Sequence, residues 1–158
     1  MTEDEKTENL EQLIKFLNTC ISASNTIELK DSALAASLRD YKIKDASSAI
    51  SFIMNNINII GMCRKQKLGY RENDTAPFVY EYVFNIKDQP ESMGCLAFHK
   101  NPKNKTRIRI MIKSLHKDYQ NVIPYKESKD IEIEWLNKEQ IDRLPICKGE
   151  TKNEVSNL

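Results

Sequence analysis

Glycine is scarce in this chain: four in 158 residues. That scarcity excludes a glycine-rich phosphate loop, and no nucleophile elbow or other catalytic signature takes its place. The four cysteines, Cys20, Cys63, Cys95 and Cys147, lie far apart with no CxxC pair. Only two histidines, His99 and His116, could join them, so a zinc site is not expected. No signal peptide and no long apolar run occurs, which predicts a protein that is not secreted and does not contact a membrane. Reduced thiols in a cytoplasmic compartment, or a nuclear one in a eukaryote, fit that pattern. No cofactor and no metal are expected. The chain also lacks internal repeats and low-complexity tracts. One further absence is local: residues 99–117 contain no acid at all.

Charge is segregated. The net charge is +1, yet residues 1–40 come to −4, 41–69 to +4, 70–98 to −3, 99–117 to +7 and 118–158 to −3. Two basic islands in an acidic frame suit a directed anion-binding surface.

Residues 1–6 read as a charged, frayed end. A first helix is predicted from Thr7 to Ser22, with Leu10, Leu13, Ile14, Leu17 and Ile21 on one stripe. Thr26 to Leu29 reads as a short strand. Asp31 caps a second helix over Ser32–Tyr41, with Leu34, Leu38 and Tyr41 inward. Asp45 is an N-cap for a third helix, in which Ile50, Ile53, Met54 and Ile57 fall on one face. Its opposite face carries Ser48, Ser51, Phe52, Asn55 and Asn56. At about 160° from the apolar stripe, Phe52 is expected to be exposed.

Ile59–Leu68 and Pro77–Ile86 read as strands joined by the polar loop at residues 69–76. A second hairpin follows, Gly94–His99 with Arg107–Ser114, across a lysine-rich loop. Ile108, Ile110 and Ile112 point one way and Arg107, Arg109, Met111 and Lys113 the other. Residues 115–130 read as irregular. Ile131–Trp135 is a strand, Asn137 with Gln140 starts a short helix ending near Leu144, and a disordered tail begins near Lys148.

The order helix, short strand, helix, turn, helix, two-stranded hairpin resembles the winged helix-turn-helix superfamily over about residues 7–86. That resemblance implies an α+β fold: an N-terminal winged helix extended by a C-terminal β-hairpin, strand and short helix. The implied units are 7–86 as the winged-helix-like domain, 87–147 as a β-rich extension packed on it, and 148–158 as the tail. It also implies that helix three enters the major groove of DNA while the wing touches phosphate. The helix departs from the usual pattern in carrying no Arg or Lys.

Two candidate surfaces follow. The first is the third helix and wing: Ser48, Ser51, Phe52, Asn55 and Asn56 toward bases, with Lys42, Lys44, Arg64, Lys65, Lys67 and Arg71 toward phosphate. The second is the basic hairpin: Lys100, Lys103, Lys105, Arg107, Arg109 and Lys113, continued by Lys117. The alternative for the hairpin is a sheet edge guarded by lysines. The function expected is non-catalytic nucleic-acid binding, with duplex DNA favoured, in a regulator or replication accessory. The rival is a protein-interaction module or dimeric adaptor working through the Phe52 face or the acidic first helix. A ribonuclease-like toxin using His99, His116 and nearby cations is a minor alternative.

Overall fold

The computed structural model describes residues 1–30, 40–66, 78–116 and 131–146. Helix α1 spans Glu3–Ser22 and is opened by a capping box: the Thr2 side chain accepts from the Glu5 amide, and Glu5 reaches back to Thr2 N–H. Three acids in its first turn complement the helix dipole. Leu10, Leu13, Phe16, Leu17 and Cys20 are buried along one side, whereas Ile21 is 58 % exposed. A 3-10 turn, Ser24–Thr26, leads into strand β1, Ile27–Leu29. The second helix expected over Ser32–Tyr41, with Leu34 and Leu38, falls almost wholly on residues 31–39, outside the described residues. Helix α2 spans Ala46–Asn56 and is capped by Asp45, whose carboxylate accepts from Ser48 N–H at 2.8 Å.

The chain then becomes sheet. Strand β2 is Ile57–Gln66, β3 Phe78–Ile86, β4 Gln89–Lys100, β5 Ile108–His116 and β6 Ile131–Trp135. Helix α3, Lys138–Asp142, closes the described chain, with Asn137 and Gln140 forming its capping box. The strand order is β1-β5-β4-β3-β2-β6. Strands β2 to β5 make an antiparallel meander and β6 pairs antiparallel outside β2. Strand β1 runs parallel to β5, matching Ile27 to Ile108 and Leu29 to Ile110. Lys87 and Asp88 turn β3 into β4, with Asp88 at φ 66, a left-handed conformation that Asp tolerates. Beside the turn, the buried Ser92 hydroxyl accepts from Ile86 N–H and donates to Gln89 C=O, bridging a register shift.

This architecture overturns the winged-helix expectation. Mixed α and β content is present, but the molecule is organised on a mixed sheet, six-stranded among the described residues, rather than on a three-helix core with a small wing. The physical reason lies at Ile57. Its burial belongs to the first position of β2, not to a last turn of helix, and β2 is then held on both sides by β3 and β6. The expected boundary after residue 86 falls at the β3–β4 turn of this continuous sheet.

Helices cover one sheet face. The main core there joins Leu13, Phe16 and Leu17 of α1 and Phe52 and Ile53 of α2 to Ile59, Met62, Phe84, Leu96, Ile110 and Ile112 of the sheet. The reverse face carries a smaller cluster, Cys63, Val83, Met93 and Cys95, with Ile60 and Ile133 against it. Gly61 sits where β6 presses close: a Cβ there would meet Trp135 Cε3 at 3.1 Å and Glu134 O at 3.2 Å.

Candidate nucleic-acid interface

The tip joining β4 to β5 is an ordered, asparagine-built turn. Asn101 N–H donates to Arg107 C=O at 2.9 Å, and Arg107 N–H returns to Asn104 C=O at 3.0 Å. The Asn101 side-chain oxygen accepts from Lys103 N–H, and that of Asn104 from both Thr106 N–H and its hydroxyl. Such Asx contacts satisfy the tight backbone locally. They leave Lys103 and Lys105 exposed at the tip, with Lys100 exposed at the end of β4.

Behind the tip stands Glu28 of β1, which the sequence reading did not single out. Its carboxylate accepts from Asn101 Nδ2 at 2.6 Å, Arg109 Nε at 2.7 Å and Arg107 Nε at 3.0 Å. The Arg109 and then the Arg107 hydrogen bonds hold its carboxyl below the ordinary range. Arg107 also donates to Asn25 C=O. Because Ile27 and Leu29 belong to the helix-side core, alternation puts Glu28 on the reverse face. The two arginines are therefore partly neutralised and fixed in place. No signal in a single sequence pairs residue 28 with residues 107 and 109, since strand register is a long-range property.

The helix surface is dismantled as a reader of bases. Phe52, expected to be exposed, is 6 % exposed and packs edge-on against Phe84 and tilted against Tyr41. The Ser48 hydroxyl is used within the cap, accepting from the Lys44 and Asp45 amides and donating to Asp45 C=O. Asn55 donates to Ser51 C=O on its own helix. Ser51, Asn55 and Asn56 remain exposed, as do Lys42 and Lys44. Arg64 is drawn under α1, where its guanidinium donates to Glu5 at 2.8 Å. Lys65 and Lys113 lie on β2 and β5, and Lys67, Arg71 and Lys117 lie outside the described residues. The arginines of the hairpin do not converge with the helix surface: α2 covers the helix side and the Glu28–Arg109 pair lies on the other.

No known protein family, curated protein or solved structure matches this chain. Among the described residues no group of three or more His, Cys, Asp or Glu is placed to hold a metal ion, and no helix is long and apolar enough to cross a membrane. Of the two histidines, His99 lies opposite Arg109 in the β4–β5 ladder and His116 opposite Met93, one near each end of the hairpin.

Proposed function

We propose that the protein is a non-catalytic nucleic-acid-binding protein that grips the phosphate backbone of duplex DNA through the β4–β5 tip. The observation that carries this reading is the pair of exposed lysines, Lys103 and Lys105, held on an ordered turn in an acid-free stretch of seven bases. Edge protection explains them less well. Strand β5 is covered by β1 next to the tip, and Lys103 and Lys105 stand on the turn beyond the strands rather than along the β4 edge that opens after Leu96.

Binding of this kind is insensitive to base sequence. Phe52 is in the core, and Ser48 and Asn55 are engaged within α2, so the expected base-reading set is depleted. Phosphate contacts position a protein without specifying a site. The setting proposed is a reducing compartment, cytoplasmic or nuclear, in which the buried thiols of Cys20, Cys63 and Cys95 persist.

The test is a salt titration of binding to random-sequence duplex. Wild type should bind with a steep negative dependence of log K on log salt. The double variant Lys103→Ala, Lys105→Ala should flatten that slope by up to about 2 units, because each lost phosphate contact removes roughly 0.9. Absence of binding at low salt, or an unchanged slope in the variant, removes the tip from the account and leaves the protein-interaction reading in its place.

A further inference from the structure

Strands β3 and β4 part before they end. Their pairing runs from Ile86 and Gln89 to Tyr82 and Leu96 and stops, although β3 extends to Phe78 and β4 to Lys100. Past that point β3 stays paired with β2 and β4 with β5. The sheet therefore forks, and α1 lies across the fork.

A cavity of about 440 Å³ opens there, within the roughly 300–1,000 Å³ usual for small-molecule sites. Its apolar lining includes Phe16, Tyr80, Tyr82, Phe98, Ile108 and Met111. Phe98 stacks nearly parallel on Phe16 at 4.1 Å and on Tyr82 at 5.5 Å, which makes this wall of the cavity an ordered aromatic stack. Both tyrosine hydroxyls are already committed to α1: Tyr82 donates to Asn9 C=O and Tyr80 to the Glu5 carboxylate. What the tyrosines offer a ligand is their rings. Lys15 and Lys100 also line the cavity, both exposed and without an ion pair among the described residues. Gln12 lines it from the exposed side of α1. His99 lines it too, and Glu81 is the acid among the lining residues. Cations therefore outnumber acids there.

We propose that this fork binds a small planar aromatic anion, its rings among Phe16, Tyr80, Tyr82 and Phe98 and its acidic group on Lys15 and Lys100. An apolar concave body with a few cations is the usual construction for such a ligand, and an ammonium near aromatic rings favours an acid that also presents a flat face. The proposed site shares Lys100 with the basic hairpin and is otherwise separate from the nucleic-acid reading. Lys15 and Gln12 stand on α1, and neither tip lysine of the duplex test lines the fork.

The test uses the full chain and two fluorescent probes, anilinonaphthalene sulfonate as the anion and phenylnaphthylamine as its uncharged relative. The anion should bind saturably with one site per chain. Lys15→Ala with Lys100→Ala should weaken the anion at least tenfold and leave the uncharged probe within twofold. Gln12→Trp, which places an indole at the mouth, should remove both. All three positions are exposed, and matching thermal melts verify that the variants fold. Non-saturable binding, or wild-type affinity in both the double-lysine variant and Gln12→Trp, overturns the assignment. Equal loss of both probes in the lysine variant overturns the role of the acidic group.

Discussion

Glu5 shows how one side chain ties the N-terminus to the sheet. Its carboxylate accepts from Tyr80 at 2.9 Å and Arg64 at 2.8 Å while its backbone amide serves the α1 cap. The Tyr80 hydrogen bond, then the backbone contact to Thr2, then Arg64, lower its pKa from 4.5 to about 2. A carboxyl depressed in the folded state stabilises fully above its unfolded value, and the contribution is lost as pH falls through the folded value. The stability gap between wild type and Glu5→Gln should therefore be largest above pH 4.5 and close toward pH 2. Denaturant unfolding across that window measures it, and a gap constant with pH would assign the acid sensitivity to other groups. Cys20 is the opposite case. Burial pushes its thiol up to about 12, so it acts as a small core hydrophobe rather than a nucleophile. The Tyr82 hydroxyl is likewise pushed up by burial, consistent with a neutral donor to Asn9 C=O.

The elements were legible in the sequence to very different degrees. Helix α1 from Thr7, the Asp45 N-cap, the Asn137 capping box and the existence of strands β2 to β6 follow from local periodicity and capping chemistry, whereas residues 1–6, expected to fray, hold the Thr2 capping box and first turn of α1, and β4 begins at Gln89, ahead of the expected Gly94. The inward face of α2 did not follow. The stripe Ile50, Ile53, Met54 and Ile57 counts a strand residue as helical, but Ile57 lies near the centre of that stripe and does not move it; the stripe is misplaced because it takes Ile50 and Met54 as the core face and leaves out Ala49 and Phe52. The buried set is Ala49, Phe52 and Ile53, about one residue step (about 100°) round the helix, with Ile50 and Met54 at the margin. Short apolar runs at a helix-to-strand junction carry both periods at once, and only packing decides between them. Phe52→Ala should accordingly cost roughly 3–5 kcal/mol, the range for emptying a buried aromatic site. A lowered denaturation midpoint with an unchanged m-value checks this, together with unaltered duplex affinity at a temperature where the variant remains folded. A variant as stable as wild type would return Phe52 to the surface.

At the scale of the whole molecule, the feature least legible in the sequence is pairing. β1 meets β5 across about half of the chain, and this contact is what brings Glu28 to Arg107 and Arg109. The fork that creates the cleft is likewise a matter of where one ladder stops, which no residue pattern announces. The same pairings have a thermodynamic consequence. A single sheet runs from β1 near the N-terminus to β6 near the end of the described chain, and one core takes side chains from α1, α2 and every strand of the meander, with Leu136, Leu144 and Ile146 beyond β6. A division into 7–86 and 87–147 would have to break the β3–β4 ladder and cut that core. The chain should therefore unfold in one cooperative step. Its lone tryptophan, Trp135, lies on β6, and being 50 % exposed it reports the edge strand farthest from β1. Helical circular dichroism reports mainly α1 and α2 at the other end of the sequence. The two signals should lose amplitude along superimposable denaturant curves with one midpoint, the mark of a two-state transition. Separate midpoints, with tryptophan fluorescence changing while helicity persists, would show that the sheet divides into independently stable parts, and the seam would then be sought first at the fork between β3 and β4.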